Sequence, residues 1–272
     1  MLYFAHISDI HLDLRPRAHA RARRVMTYLR TLPLDAILVT GDISDHGSTA
    51  EYEQAKAELA AEVPVLMLPG NHDNRAVFRR VLLGEDGQQQ PLNMVRSVGN
   101  ATFVLCDSVI PGQSAGVLTQ DTIEWLGGVL ADGDGPAFVC LHHPPVPLHS
   151  DLIDGVRLGE PGKLAAQIAR HPRVVAILCG HAHAAAASTF AGRPLLVTPG
   201  ICSTLRLPWA TTDQLTWRNT LDYESPLTVA FHVLDDTGRL TTHYIPVPPA
   251  MPDGRPDQRA SGEILVDALN ER

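Results

Sequence analysis

The amino-acid sequence predicts a layered α/β fold. Short apolar runs alternate with amphipathic helical segments along most of the 272 residues, and several of these runs end in a turn that contains Gly, Asp or His. In α/β folds, ligands collect at the carboxyl ends of strands. A hydrophobic content of 44% suits a substantial core, and the length allows one large domain or two small ones.

The first third of the chain alternates three predicted strands with three predicted helices. The apolar runs at 2–7, 36–40 and 65–68 are the strands, and the segments with helical spacing are 17–32, 49–62 and 75–83. Ser48 or Thr49 is the expected N-cap of the second helix. The polar residues 84–93 predict a surface loop.

The rest of the chain continues the alternation and then changes composition. Further strands are predicted at 102–106, 137–141, 174–178, 194–197, 228–234 and 240–245, and helices at 119–130 and 162–170. A stretch rich in Pro, Asp and Arg begins at Pro246. We therefore predict one domain over 1–246 and a C-terminal tail over 247–272, in which 262–269 could form one or two helical turns.

Charge and composition narrow the classes of function. The formal net charge of −8 argues against a protein that coats nucleic acids or binds anionic membranes. The sequence has no apolar run of the roughly 20 residues that span a bilayer, and its N-terminus lacks the features of a secretory signal. Its four cysteines lie in or beside apolar runs without C-x-x-C spacing, which predicts reduced, buried thiols and a cytoplasmic protein.

Five motifs with potential metal ligands follow predicted strands in order. They are the strings HISDIH, VTGDISDHG, LPGNHD, LHHPP and CGHAH. Together they contain seven candidate ligands: Asp9, His11, Asp42, Asn71, His142, His181 and His183. A sheet that presents its strand ends at one edge could gather these side chains around two cations, which is a recurrent device for hydrolysing phosphate esters.

Residue spacing indicates how these side chains converge. Asp9 and His11 are two residues apart at the end of the first strand, so alternation would put them on the same side, and His181 and His183 repeat this spacing. The carboxylate of Asp42 could bridge two cations roughly 3.5–4 Å apart.

Two further positions leave alternatives open. Asn71 could offer an amide oxygen to a metal, but Asn is also favoured in a P-G-N turn. Of the adjacent His142 and His143, strand geometry allows only one to face the site.

From about Phe4 to Pro199, the ordered motifs resemble the calcineurin-like metallophosphoesterases. The strings AHISDIH, GDISDHGSTAEYEQAKAEL, LPGNHD and LHHPPVPL are similar to those of class III cyclic nucleotide phosphodiesterases and related bacterial glycerophosphodiesterases. With the alternating pattern, the resemblance implies a four-layer αββα sandwich of two mixed sheets, with a dimetal site at the strand ends.

The resemblance also implies a role for each candidate ligand. Asp9, His11 and His183 would bind the first metal, Asp42 would bridge, Asn71 and His181 would bind the second metal, and His142 rather than His143 would complete the set. Donors of this mixed kind suit Mn²⁺, Fe²⁺ or Zn²⁺ better than Ca²⁺.

Two residues are candidates for direct chemistry. His72, beside Asn71, could contact the scissile phosphate or protonate the leaving oxygen, so both are expected to bind substrate. Asp45 could orient His72 and keep it cationic, as the GD-x-x-D spacing resembles that of phosphoprotein phosphatases, or it could cap the following helix. His46 occupies the position at which those phosphatases carry Arg, which weakens the prediction of a phosphoprotein substrate.

The expected activity is hydrolysis of a small phosphodiester by attack of a metal-bound hydroxide on phosphorus. The leading hypothesis is conversion of 3′,5′-cyclic nucleotides to 5′-nucleotides, the alternative is a promiscuous glycerophosphodiester or aryl phosphodiesterase, and the remote one is a non-catalytic metal-binding scaffold. Long nucleic acids are not expected to bind, and a homo-oligomer is left open. The segments 108–117, 144–160 and 201–222, with His149 as a candidate, are expected to line the substrate pocket.

Overall fold

The structure is a computed structural model that describes residues 1–249. Its strands are β1 (Leu2–Ile7), β2 (Ala36–Thr40), β3 (Val65–Leu68), β4 (Met94–Val98), β5 (Ala101–Leu105), β6 (Ala137–Cys140), β7 (Val174–Cys179), β8 (Ala186–Phe190), β9 (Arg193–Val197), β10 (Thr204–Leu205), β11 (Leu221–Asp222), β12 (Thr228–Leu234) and β13 (Leu240–Pro246). The helices are α1 (Pro16–Leu29), α2 (Thr49–Glu58), α3 (Arg75–Phe78), α4 (Gln120–Ala131), α5 (Asp151–Asp154) and α6 (Pro161–Arg170). A π-helical turn at Arg79–Leu83 extends α3.

These strands form two mixed sheets and one short ribbon. The first sheet has the order β13-β12-β1-β2-β3, in which β1, β2 and β3 are parallel and β12 and β13 are antiparallel. The second has the order β4-β5-β6-β7-β9-β8, with a parallel centre and antiparallel strands at both edges. The strands β10 and β11 pair only with each other in the described chain.

The two sheets pack face to face through apolar side chains. At the centre the ring of Phe4 from β1 meets Phe103 and Phe138 of the second sheet edge to face, with ring centroids 5.0 and 5.2 Å apart. The outer face of the first sheet is covered by α1 and α2, and that of the second by α4 and α6. The predicted four-layer αββα sandwich of two mixed sheets is confirmed.

The core strands follow the sequence pattern, whereas two helix ends do not. The bounds of β1, β2, β3 and β12 are those predicted, but α1 and α2 end before their predicted ends at residues 32 and 62. A proline at position 33 stops the first helix. The guanidinium of Arg30 donates to the carbonyl oxygens of Glu58 (2.7 Å) and Ala60 (3.0 Å), which a longer α2 would use for its own hydrogen bonds.

Several short elements lack a predicted counterpart. The edge strands β4 and β8 have mostly exposed central residues, so they lack the apolar run that marks a core strand. The ribbon strands β10 and β11 span two residues each, and α5 spans four. Elements this short leave no periodic signal in a sequence.

The described part of the tail is attached to the domain. Val247 is buried, its N–H donates to the carbonyl of Leu227 (2.8 Å), and Arg24 donates to the carbonyls of Val247 and Pro248. The helical turns expected at 262–269 lie outside the described residues, and the boundary at residue 246 stays a prediction. Within residues 1–249, none of the helices has the length and apolar character that crossing a bilayer requires.

Because Phe4 fills the centre of the contact between the sheets, Phe4→Ala should lower the free energy of unfolding by about 3–5 kcal/mol. Tyr3→Ala is a matched control, since this neighbour on the same strand is exposed. Urea denaturation of both variants measures the difference. Equal losses would contradict the central place of Phe4 in the core.

Candidate metal centre

The candidate ligands follow the ends of parallel strands in an unusual backbone conformation. Five of them have positive φ angles: Asp9 (53°), His11 (46°), Asp42 (47°), His181 (66°) and His183 (50°). Residues other than glycine seldom adopt this left-handed region, and such residues cluster at functional sites. The expectation that strand alternation aligns residues two apart was wrong, because β1 ends at Ile7 and β7 at Cys179, and the turns beyond these ends orient the side chains.

The turns after β1 and β2 are tied to each other through backbone hydrogen bonds. The N–H of Asp9 donates to the carbonyl of Gly41 (3.1 Å), and that of His11 to the carbonyl of Asp42 (2.9 Å). Gly41 has φ +98°, and a Cβ there would lie 2.6 Å from Nδ1 of His142. A Cβ on Gly70 would lie 2.2 Å from Oδ1 of Asp42. Gly41, in the turn after β2, and Gly70, in the turn after β3, are therefore needed for these two turns to approach each other.

One half of the site brings together Asp9, His11 and His183 beside Asp42. Oδ1 of Asp9 lies 3.4 Å from Nε2 of His183, and Nε2 of His11 lies 3.5 Å from Oδ2 of Asp42. The other oxygen of Asp9 accepts a hydrogen bond from the backbone N–H of His181 (3.0 Å). Ligand atoms of Asp9, His11 and His183 all lie within 4.8 Å of one another, a spacing that suits a single cation.

The other half of the site centres on Nε2 of His142. This nitrogen lies 3.3 Å from Oδ2 of Asp42, 3.2 Å from Oδ1 of Asn71 and 3.2 Å from Nδ1 of His181. The same carboxylate oxygen of Asp42 thus faces both His142 and His11. The structure brings all seven predicted ligands together, with Asp42 between the two halves.

Each of the four histidines has its other ring nitrogen held by a protein group. The pairs are His11 Nδ1 with Asp45 Oδ1 (2.8 Å), His142 Nδ1 with the Thr40 carbonyl (2.7 Å), His181 Nε2 with the Val156 carbonyl (3.1 Å) and His183 Nδ1 with Ser203 Oγ (2.9 Å). Such partners fix the tautomer and the ring orientation of histidines that bind metals. The remaining nitrogens therefore point into the site, where each could bind a cation once it is unprotonated.

The chemistry of these side chains fits divalent cations. Oδ1 of Asp9 and Nε2 of His11 are buried and have no hydrogen-bond partner within the described chain. Buried polar atoms without a partner are rare in native proteins, and a cation would satisfy both. Carboxylate and amide oxygens with imidazole nitrogens form a donor set typical of first-row transition metals.

Nearby carboxylates raise the pKa of two of the candidate histidine ligands. Burial alone would lower the pKa of His11, but its hydrogen bond with Asp45 and the charge of Asp42 raise that pKa to about 9. His142 is similarly raised, against the effect of burial, to a pKa of about 9 by Asp42. Because metal ligation needs neutral imidazoles, a cation would displace these protons.

His143 occupies a different environment from its neighbour His142. Its Nδ1 hydrogen-bonds with Oγ of Ser108 (2.8 Å) and its Nε2 with the carbonyl of Ser114 (3.2 Å). Burial lowers the pKa of His143 to about 3, so the ring is neutral. Protein groups thus occupy both ring nitrogens of His143, whereas Nε2 of His142 is directed at Asp42 and Asn71.

His72 lies at the rim of the site, with 41% of its side chain exposed. Its backbone N–H donates to Oδ1 of Asp42 (2.9 Å), and its Nδ1 donates to the backbone carbonyl of Asp45 (2.9 Å). The carboxylate of Asp45 lies 3.5 Å from His72 Nδ1 but 2.8 Å from His11 Nδ1. Asp45 therefore contacts His11 more closely than His72, and its spacing in the sequence gave no sign of this.

The alternative that Asp45 caps the following helix was wrong. The N-cap of α2 is Ser48, whose Oγ accepts a hydrogen bond from the N–H of Glu51 (3.4 Å). The carboxylate of Glu51 accepts in return from the N–H of Ser48 (3.0 Å), which completes a capping box.

A cleft of about 910 Å³ opens above these side chains. It is lined by His11, Asp13, Arg15, Arg17, Ala18, Asp42, Asp45, Asn71, His72, Ser114, Ile153, Val156, His181, His183, Cys202, Trp217, Leu221 and Tyr223. The three predicted wall segments each contribute to this lining, but His149 lies outside it. Asp13, Arg15, Arg17 and Tyr223 were not predicted, although the charged string DLRPR begins two residues after the first motif ends at His11.

Comparisons with known proteins indicate the family of this chain. Residues 2–185 match the family described as calcineurin-like phosphoesterase. A probable cyclic nucleotide phosphodiesterase of Rhodococcus erythropolis is 36% identical over 74% of this chain and 71% of its own length. The glycerophosphodiester phosphodiesterase GpdQ of Enterobacter lignolyticus is 36% identical over 67% of this chain and 71% of its own.

A similar fold occurs in a dimetal phosphatase of Danio rerio, whose structure superposes with a TM-score of 0.64. The superposition covers 89% of this chain and 95% of that one at 17% sequence identity. The family match includes every candidate ligand from Asp9 to His183. The chain therefore belongs to the calcineurin-like phosphoesterase family.

Proposed function

We propose that this protein is a metal-dependent phosphodiesterase that hydrolyses small phosphodiesters, above all 3′,5′-cyclic nucleotides to 5′-nucleotides. The observation that carries the proposal is the position of Asp42 between two groups of ligand atoms at the floor of an open cleft. The relative from Rhodococcus erythropolis supports cyclic nucleotides as substrates. GpdQ supports the alternative, a glycerophosphodiester substrate.

In this proposal the seven ligands hold two divalent cations. Asp9, His11 and His183 would bind one, Asn71, His142 and His181 the other, and Asp42 both. When bound, the cations would lower the pKa of a coordinated water and offset the charge of the phosphate oxygens. The donors suit Mn²⁺, Fe²⁺ or Zn²⁺. A non-catalytic scaffold is the weaker hypothesis, since every ligand position is filled.

His72 is the proposed acid that contacts the substrate. Because its Nδ1–H donates to the Asp45 carbonyl, its Nε2 is left for the cleft, where it could bind a phosphate oxygen or give a proton to the leaving oxygen. Asn71 would also contact substrate from its place beside Asp42. Asp45 is a positioning residue, which orients His11 directly and His72 through a longer contact.

The net charge of the protein supports a small substrate. A protein of net charge −8 repels long polyanions, whereas a cyclic mononucleotide carries a single charge that the cations would neutralise.

All four cysteines are free and buried, as predicted, which suits a reducing compartment such as the cytoplasm. A cytoplasmic location and a homo-oligomer stay predictions.

Asp42→Ala should remove the ligand that both cations would share. We expect the metal content after reconstitution with Mn²⁺ to fall, and phosphodiester hydrolysis to fall with it to background. Inductively coupled plasma mass spectrometry and circular dichroism measure metal content and folding. Asp13→Ala is the control, because this carboxylate lines the cleft outside the seven ligands. Two metals per chain in a folded, active Asp42→Ala protein would overturn the bridging assignment.

His72→Ala should keep the metals and slow turnover by about 10²–10⁴-fold for substrates with poor leaving groups. The loss should be smaller for bis(p-nitrophenyl) phosphate, whose leaving group needs no protonation. His46→Ala is the control, since this exposed histidine is next to Asp45 but outside the cleft lining. Equal losses for good and poor leaving groups would assign phosphate binding, not proton transfer, to His72.

Activity measurements on the Mn²⁺-loaded protein should discriminate among substrates. We expect cyclic AMP or cyclic GMP to be cleaved far faster than duplex DNA, with glycerophosphodiesters as additional substrates. Steady-state kcat/KM for each compound is the measurement. Nuclease activity and tight, salt-sensitive DNA binding without cleavage of cyclic AMP would contradict the proposal.

A further inference from the structure

Two large aromatic side chains are exposed inside the cleft. Trp217 is 56% exposed and Tyr223 is 42% exposed, and both line the cavity that contains the candidate metal ligands. Neither is a member of the hydrophobic core clusters of the described chain. Aromatic walls next to a few convergent polar groups are typical of binding sites for small molecules.

The position of Tyr223 is fixed by two arginines of α1. Arg21 donates to the carbonyl oxygens of Ile201 (2.6 Å), Tyr223 (3.4 Å) and Ser225 (3.1 Å), which attaches this segment to the edge of the site. The guanidinium carbon of Arg17 lies 4.1 Å from the centroid of the Tyr223 ring, a cation–π contact. The tyrosine is thus held in place before any ligand binds.

Trp217 is presented by a turn that forms its own hydrogen bonds. The N–H of Thr216 donates to Oδ1 of Asn219 (2.7 Å), and Nδ2 of Asn219 donates to the carbonyl of Gln214 (3.2 Å). The N–H of Thr220 donates to the carbonyl of Thr216 (3.0 Å). This turn immediately precedes β11, which pairs with β10, and the N–H of Leu205 in β10 donates to the carbonyl of the candidate ligand His183 (2.8 Å).

We propose that Trp217 and Tyr223 form an aromatic wall that binds the nucleobase of a cyclic nucleotide while its phosphate lies at the metal ligands. This inference rests on the proposed phosphodiesterase function, in which Trp217 and Tyr223 would select the substrate. A nucleobase offers a flat π-face for stacking, whereas a glycerophosphodiester offers none. Arg17 packs against one face of the tyrosine ring, so a base would stack on the opposite face.

The test compares Trp217→Ala with Trp209→Ala. Trp209 belongs to the same connecting segment and is 68% exposed, but it does not line the cleft. In Trp217→Ala the KM for cyclic AMP should rise about 5- to 140-fold, which corresponds to about 1–3 kcal/mol of stacking per base. The value of kcat should change little, because stacking acts on substrate and transition state alike.

Two further comparisons separate stacking from a structural effect. Trp217→Phe should restore most of the affinity, and Tyr223→Phe, which keeps the ring, should lose less than Tyr223→Ala. The KM for glycerophosphoethanolamine, which has no aromatic group, should stay the same in all these variants. Equal increases for both substrates would overturn the aromatic wall.

Binding of 5′-AMP, measured by equilibrium dialysis, tests the wall separately from catalysis. If the wild-type protein does not cleave cyclic AMP but binds 5′-AMP, and Trp217→Ala weakens that binding, the proposed activity is contradicted and the aromatic wall is supported. If it cleaves cyclic AMP but neither KM nor 5′-AMP affinity changes in the alanine variants, the wall is overturned and the activity stands. Absence of both cleavage and binding would overturn both.

Discussion

The arrangement of the turns that carry the candidate ligands depends on the buried negative charge of Asp42. A carboxylate this deeply buried is costly unless nearby groups compensate it. Burial alone would raise the pKa of Asp42, but the imidazoles of His142 and His11 hold that pKa well below its usual range. The backbone N–H of His72 also donates to Oδ1 of Asp42 (2.9 Å). These partners come from three different turns, so the charge of one side chain holds together the ends of four strands.

A second buried carboxylate supports the first without touching a candidate ligand side chain. Asp73 accepts hydrogen bonds from the N–H groups of Ile43, Ser44 and Gly70 and from the hydroxyl of Tyr52. It thereby connects the turn after β2 to the turn after β3. Burial and the nearby charge of Asp42 raise the pKa of Asp73 to about 6. The geometry around Asp42 therefore depends on α2 as well as on the sheet.

Features that depend on local sequence pattern were predicted from the sequence, whereas contacts between residues far apart in the chain were not. Apolar runs that end in Gly-Asp or His turns predicted the core strands and the seven candidate ligands that the structure brings together, because a strand end is a local signal. The pairing of His11 with Asp45 joins residues 34 positions apart, and that of Arg21 with Tyr223 joins residues 202 apart. The expected alternation of side chains along a strand does not extend to Asp9, which has a left-handed backbone conformation. Backbone hydrogen bonds between turns, rather than strand geometry, set this conformation.

In the proposed function, phosphate chemistry and substrate selection depend on different parts of the chain. The candidate ligands lie within residues 2–185, the part that matches the family, and they would meet only the phosphate, which cyclic nucleotides and glycerophosphodiesters share. Trp217 and Tyr223 lie beyond that part, on a segment held by a two-stranded ribbon and by arginines from α1. In the described chain the ribbon pairs with neither sheet, but the N–H of Leu205 in β10 donates to the carbonyl of His183 (2.8 Å), which connects the ribbon to the candidate ligands. In the proposed function the phosphate would contact the part of the chain that matches the family and the base would contact Trp217 and Tyr223, so substrate selection would depend on residues outside the family match.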